Sequence, residues 1–179
     1  MTRRPPLIEF ENVHLIRGGR PVLDGLTFRI ASGENVALLG PNGSGKSSLL
    51  KLLTRELYPV AHGLAFRMRV LGKDSWELFR LRSRLGLVSP DLQQEFAREC
   101  TGWEAVVSGF FGSVGLWRNH RVTKAMERKA AAALDRVEAA PLAGRLMSEM
   151  SSGEARRILL GRAMIHDPEA LVLDEPATS

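Results

Sequence analysis

The chain has 179 residues, 44% of them hydrophobic and 25% charged, which is the composition of a globular domain long enough to bury a core. The net charge of +5 is spread along the chain without a long basic run, so an ordinary basic surface is favoured over a nucleic-acid arm. A single cysteine, Cys100, excludes an intramolecular disulfide, and no apolar stretch is long enough for a signal peptide or a transmembrane helix. We therefore expect a soluble, cytosolic chain whose membrane role, if any, depends on a partner.

The first half of the chain combines strand patterns with one glycine-rich segment. Gly18 and Gly19 predict a turn, and residues 35–39 form a compact apolar run that is typical of a strand buried on both faces. Leucines at helical spacing predict a helix from residue 47 to residue 56. Short apolar or alternating runs predict further strands at 7–10, 12–16, 26–30, 65–71 and 85–88.

The pattern becomes helical after Pro90. Thr123 is a plausible N-cap for an alanine-rich helix that reaches Glu138, and residues 170–173 predict a final buried strand. These elements predict an α/β core formed by residues 1–90 and 166–179, with a helical subdomain at 91–165.

A phosphate-binding motif lies between the predicted strand 35–39 and the predicted helix 47–56. It matches G-x-x-x-x-G-K-[ST], in which glycines let backbone amides point at an anion and the following helix adds its positive dipole end. We expect Lys46 to reach the β- and γ-phosphates of a nucleotide and Ser47 to bind Mg²⁺. The predicted nucleotide contacts are Gly40, Pro41, Asn42, Gly43, Ser44, Gly45, Lys46, Ser47 and Ser48.

Two carboxylates, Asp174 and Glu175, follow the predicted strand 170–173. Mg²⁺ keeps most of its waters in proteins, and we expect Asp174 to hold it through that water shell. Glu175 is expected to polarise the attacking water as a general base. Acidic residues after a strand are common in loops, so this pair alone does not indicate a catalytic site. The prediction rests on finding the pair together with the phosphate-binding motif.

A third motif, Met-Ser-Ser-Gly-Glu at residues 150–154, precedes a predicted helix with Ser151 as a natural N-cap. The phosphate motif, this segment and the acidic pair, in that order, resemble the ABC ATPase family over nearly the whole chain. The resemblance implies an α/β, P-loop NTPase core of ABC type with an antiparallel β subdomain and a helical subdomain. It also implies that Ser151 and Gly153 face the γ-phosphate bound by an opposite subunit.

The sequence departs from the family pattern at three places. Ser152 and Glu154 replace a glycine and a glutamine of the signature, and we expect the Glu154 carboxylate to point away from phosphate. Arg17 stands roughly where the family stacks an aromatic ring on adenine, so its guanidinium plane either stacks on the base or is an exposed surface group. The family's Q-loop glutamine is matched by Gln93 or Gln94. We prefer Gln93 on spacing, as a residue that contacts Mg²⁺ and the attacking water.

Two further parts of the family pattern, a D-loop aspartate and a switch histidine, are not found before Ser179. We therefore expect a C-terminally truncated copy in which strands 35–39 and 170–173 lack a common neighbour, which leaves unpaired backbone groups. The histidines match no position of the family pattern and are expected at the surface or in packing; they are His14, His62, His120 and His166.

The resemblance implies that the chain binds ATP and Mg²⁺, pairs with a second ATP-binding subunit, and hydrolyses ATP to drive solute transport through a transmembrane permease. The chain would then lie on the cytoplasmic face of the membrane, with the helical part against the permease and no nucleic-acid partner. Residues 106–117 resemble the corresponding segment of importer ATPases associated with the uptake of molybdate or iron complexes. The other interpretation is that their aromatic side chains only pack within the helical part. Two alternatives stay open: a soluble ABC ATPase acting on nucleic acid or the ribosome, and a hydrolysis-deficient nucleotide-binding module.

Overall fold

The computed structural model of the protein describes residues 5–60, 65–96 and 100–174. Five strands are β1 (Ile8–Arg17), β2 (Arg20–Ile30), β3 (Arg67–Val70), β4 (Leu85–Val88) and β5 (Ala170–Leu173). Six α-helices are α1 (Lys46–Leu53), α2 (Leu78–Arg84), α3 (Pro90–Phe96), α4 (Gly102–Ser108), α5 (Lys124–Arg136) and α6 (Ser152–Met164). The chain divides into two compact units, Met1–Leu78 and Phe79–Ser179. The boundaries predicted for a helical subdomain at 91–165 stay a prediction.

The first unit contains an antiparallel sheet with strand order β2-β1-β3. The predicted turn is confirmed: Gly18 and Gly19, at φ of 56° and 75°, connect β1 to β2 as the two-residue turn of a hairpin. The strands predicted at 7–10 and 12–16 are one strand rather than two. The register shifts between Phe10 and Val13, where Asn12 takes a φ of 51°, so a bulge replaces the predicted break.

The strand predicted at residues 35–39 is wrong: this segment has no regular secondary structure. Its apolar side chains are exposed, with Val36 at 61% and Leu39 at 88% of their full accessible area. An apolar run forms a buried strand only when neighbouring strands satisfy its backbone amides and carbonyls. Among the described residues, no strand pairs with this segment.

The second unit contains a parallel pair in which β4 aligns with β5, from Leu85 opposite Ala170 to Val88 opposite Leu173. A strand at 170–173 is confirmed, but the prediction that it is buried is wrong for Leu171 and Leu173, which are exposed. The reason is that β4 is the one strand that pairs with β5 in the described part of the chain. The helices enclose an apolar core whose fully buried members include Phe96, Val106, Val107, Ile158 and Leu159.

Helix caps in the second unit follow the sequence closely. Thr123 accepts a hydrogen bond from the Met126 amide and caps α5, as predicted, but this helix ends at Arg136 rather than at Glu138. Glu138 takes a φ of 53°, which a continuing helix does not allow.

Of the helices in the described ranges, none is long and apolar enough to cross a membrane.

Candidate nucleotide site

The phosphate loop, residues 40–47, turns sharply into α1 in the first unit. Gly43 and Gly45 adopt φ of 82° and 92°, and Gly45 is the left-handed residue that directly precedes the helix. The helix begins with the Leu49 amide donating to the Gly45 carbonyl at 2.8 Å. Only glycine takes these two conformations without strain, so the loop has the backbone that an inward-facing row of amides requires.

Close packing is a second reason for glycine at position 45. A Cβ atom on Gly45 would lie 3.1 Å from the Val22 carbonyl oxygen and 3.2 Å from Leu23 Cδ2. On Gly40 it would lie 2.9 Å from Ser44 Oγ, the end of a side chain that can rotate away. The Val22–Leu23 part of β2 is therefore the wall against which the phosphate loop is positioned.

The Lys46 ammonium lies across the phosphate loop. Its Nζ donates to the carbonyl oxygens of Gly40 and Pro41, both at 2.8 Å. The donor set of the loop, an ammonium and first-turn amides, therefore fits an anionic phosphate chain. The Ser47 hydroxyl is exposed at the start of α1, where it is available to a hard cation such as Mg²⁺, whereas Ser48 is buried.

Asp174 lies directly after β5 in the second unit. Its amide donates to the Val88 carbonyl at 2.9 Å, which extends the β4–β5 pairing, and its own carbonyl accepts from Arg156 at 3.4 Å. The backbone of Asp174 is thus fixed at the carboxyl end of the parallel pair, where the sequence places it. Glu175, the predicted general base, lies outside the described residues.

The signature segment begins α6 with a capping box. Ser151 Oγ accepts from the Glu154 amide at 3.3 Å, and the Glu154 carboxylate accepts in return from the Ser151 amide at 2.8 Å. The other carboxylate oxygen of Glu154 accepts from Arg145 Nη1 at 2.7 Å. The pKa of Glu154 is lowered, chiefly by the Ser151 amide and hydroxyl and then by Arg145.

The first turn of α6 is open in front of Gly153, since a Cβ atom there would meet nothing within 4 Å. The amides of Ser152 and Gly153 belong to the turn whose N–H groups have no intrahelical acceptor. The Ser152 hydroxyl accepts from Gln93 Nε2 at 3.3 Å, so the preferred Q-loop residue and the signature are in contact. Gln94, the other Q-loop candidate, is exposed on α3.

The sequence profile of the ABC transporter family matches residues 23–178, a range that contains the phosphate loop, the signature segment and the acidic pair. The chain belongs to the ABC transporter family. An uncharacterized ABC transporter ATP-binding protein, YlmA of Bacillus subtilis, is 35% identical over 175 residues, which are 96% of this chain and 64% of that protein. The chain therefore spans somewhat less than two thirds of the length of this relative.

Two relatives that are named as import proteins have about the same sequence identity to this chain as YlmA has. A hemin import ATP-binding protein of Streptomyces coelicolor is 37% identical over 171 residues, covering 93% of this chain and 56% of that protein. A zinc import ATP-binding protein of Saccharophagus degradans is 35% identical over 172 residues, covering 96% of this chain and 58% of that protein.

Solved ABC cassettes share the fold. A nucleotide-free ATP-binding cassette from an ABC transporter has a TM-score of 0.79 and 24% identity, and it aligns with 97% of this chain and 70% of its own. CbiO1 from Clostridium perfringens, part of the transporter complex cbiONQ, has a TM-score of 0.76 and 24% identity, with 96% of this chain and 66% of its own aligned. The predicted ABC-type P-loop fold class is thereby confirmed.

Two arginines complete the account of the site: Arg17, which the sequence predicted, and Arg145, which it did not. Arg17 is exposed where β1 ends at the hairpin turn, and its stacking on adenine stays a prediction. Sequence reasoning missed Arg145, the cation that binds the unusual signature carboxylate. The spacing Ser151-x-x-Glu154 was a signal for the capping box, but nothing in the local sequence pairs Arg145 with Glu154.

Proposed function

We propose that this ABC family member binds ATP at residues 40–47 and hydrolyses it as the nucleotide-binding subunit of a transporter. The observation that carries the proposal is the phosphate loop itself: two left-handed glycines, a wall of β2 in van der Waals contact, and Lys46 held across the loop. This arrangement provides a positive charge and backbone donors at the start of a helix, which is what a triphosphate requires.

We assign nucleotide contacts to every residue from Gly40 to Ser48, with Lys46 as the group that binds the terminal phosphates. Arg17 is assigned to the adenine ring, and Ser151 and Gly153 to the γ-phosphate of a second copy. The support for Ser151 and Gly153 is the uncovered first turn of α6.

Mg²⁺ fits the hydroxyl and carboxylate chemistry of Ser47 and Asp174, with the amide oxygen of Gln93 as a further oxygen ligand. When bound, the ion neutralises charge on the phosphates. Glu175 would then accept a proton from the attacking water, and Gln93, which contacts Ser152 at 3.3 Å, would orient that water beside the signature.

We further propose that the partners are a second ATP-binding subunit and a transmembrane permease, with the helical part at 91–165 against the permease. This assembly would place the chain on the cytoplasmic face of the membrane. The names of the zinc and hemin import relatives, and the cbiONQ complex of the structural neighbour, support solute import over other ABC functions.

Phosphate release from ATP by the chain tests the hydrolytic part. We expect turnover that falls about a hundredfold in Glu175→Gln, because a general base contributes roughly 10²- to 10⁴-fold, with ATP still bound. The matched control is Glu169→Gln, which removes a carboxylate that pairs with Arg84, and its turnover should equal that of the wild type. Turnover in Glu175→Gln equal to that of the wild type, or ATP binding without any turnover, would contradict hydrolysis by this site.

A further inference from the structure

A polar cluster on the sheet of the first unit adjoins the wall of the phosphate loop. Val22 and Leu23 of β2 are that wall, and the next two residues of the strand are Asp24 and Gly25. On β1, the half-buried His14 contacts both of them through one ring nitrogen. The segment 22–25 is therefore held from two sides, by the phosphate loop and by His14.

One nitrogen of the His14 ring has a fixed proton. The amide nitrogen of Asn12 donates to the Ala65 carbonyl at 3.3 Å, which turns the amide oxygen of Asn12 towards His14. That oxygen lies 3.0 Å from His14 Nε2. Because an amide oxygen can only accept, Nε2 carries a proton in both charge states of the ring.

The other nitrogen, Nδ1, faces two groups with opposite requirements. The Gly25 amide donates to it at 3.1 Å, and a carboxylate oxygen of Asp24 lies 3.0 Å away. A neutral ring, protonated on Nε2, accepts from the Gly25 amide, whereas a charged ring donates to Asp24. One nitrogen cannot do both, so the charge of His14 selects between the backbone at Gly25 and the side chain of Asp24.

We propose that His14 is a positioning residue of the nucleotide site, whose neutral ring fixes the backbone of β2 behind the phosphate loop and whose charged ring releases it to bind Asp24. The inference rests on the proposed binding of ATP at residues 40–47 and adds a regulation by protons to it. The charged ring leaves the Gly25 amide without its acceptor, so the wall formed by Val22 and Leu23 loses a restraint and nucleotide affinity falls.

Other titratable groups lie on β1 and on the segments beside it. Arg67 of β3 pairs with Glu11 of β1 at 3.1 Å, and these charges compensate each other. Tyr58 lies in the segment whose Val60 amide donates to the His14 carbonyl at 2.9 Å. Asp24 is a charge in direct contact with the ring, and protonation of the ring favours the His14–Asp24 pair. By linkage, nucleotide favours the neutral ring, so nucleotide affinity should fall as the pH is lowered from about 8 to about 5.

The test is a titration of the chain with a fluorescent N-methylanthraniloyl-ATP in excess Mg²⁺, repeated across that pH range. The wild type is compared with His14→Gln, which cannot become charged, and with Asp24→Asn, which keeps the Gly25 contact but removes the acceptor of the charged ring. Protonation of the ligand affects all three proteins equally. We expect acid to weaken binding by about two- to tenfold more in the wild type than in His14→Gln, as loss of one hydrogen bond implies. In Asp24→Asn, which lacks the acceptor of the charged ring, the acid-dependent weakening should be smaller than in the wild type.

Parallel affinity profiles for the wild type and His14→Gln would overturn the inference while leaving nucleotide binding established. No binding at any pH would instead refute the proposed function, and the inference with it. If circular dichroism shows that His14→Gln does not fold, Asp24→Asn decides alone, since Asp24 is exposed and the acid-dependent weakening in this variant must be smaller than in the wild type if the ring charge matters.

Discussion

The carboxylate of Glu154 lies 2.7 Å from the Arg145 guanidinium, on a signature segment where the family pattern has an uncharged glutamine. Its second oxygen accepts from the Ser151 amide at 2.8 Å, so both carboxylate oxygens are directed back along the chain. The carboxylate therefore lies at the first turn of α6 beside Ser151, and the expectation that Glu154 points away from phosphate stays a prediction. A capping box and one cation hold the carboxylate in place.

Stability should depend on the charge of Glu154 in acid. Its pKa in the folded protein is below its ordinary value of 4.5, so its contribution is fully present above that value and is lost as pH falls through the folded pKa. We expect Glu154→Gln to unfold at lower urea concentration than the wild type at pH 7, and to change less between pH 5 and pH 3. Glu149→Gln is the control, since Arg145 contacts the carbonyl of Glu149 and not its carboxylate. Equal pH profiles for Glu154→Gln and the wild type would contradict this account of the signature.

The apolar core of the second unit should depend on α6. Leu159 is 0% exposed within that core, and truncation to alanine should cost about 2–5 kcal/mol of unfolding free energy through lost burial and a cavity. Leu171→Ala on β5, where the leucine is 43% exposed, should cost under about 1 kcal/mol. Urea unfolding followed by circular dichroism measures both. Similar costs for the two variants would show that α6 does not pack as described.

Two glycines of the phosphate loop separate backbone strain from close packing. Gly43→Ala and Gly45→Ala both place a side chain at positive φ, but only Gly45 lies against Val22 and Leu23, whereas a Cβ on Gly43 would meet nothing within 4 Å. We expect Gly45→Ala to weaken ATP binding at least about tenfold more than Gly43→Ala, because its clash displaces the loop from the wall of β2. Equal affinities of the two variants in a nucleotide titration would show that the wall does not position the loop.

Local chemistry made much of the fold predictable from the sequence. Thr123 and Ser151 are caps because a hydroxyl satisfies amides of the first helical turn, and that requirement does not depend on distant residues. The phosphate loop was equally local, since its glycines specify the backbone conformations by themselves. For the same reason Gly18 and Gly19 predicted the hairpin turn.

The features that the sequence did not predict depend on contacts between segments that are separated along the chain. Residues 35–39 have the apolar pattern of a buried strand, yet the pattern does not contain the neighbour that such a strand needs. The contact of Arg145 with Glu154 and of His14 with Asp24 depends on how separate segments meet. The bulge at Asn12, which merges two predicted strands, needs a positive φ that the residue type allows but does not require.

The central claim, ATP binding at the phosphate loop, is tested most directly by an equilibrium titration of the chain with a fluorescent ATP analogue at neutral pH. The wild type should bind one nucleotide per chain saturably, and Lys46→Ala should bind at least about tenfold more weakly, because a charge-assisted contact to phosphate is lost. Lys51→Ala, which removes a lysine from the same helix, should bind as the wild type does. Absence of saturable binding, or equal affinities for the wild type and Lys46→Ala, would contradict the account.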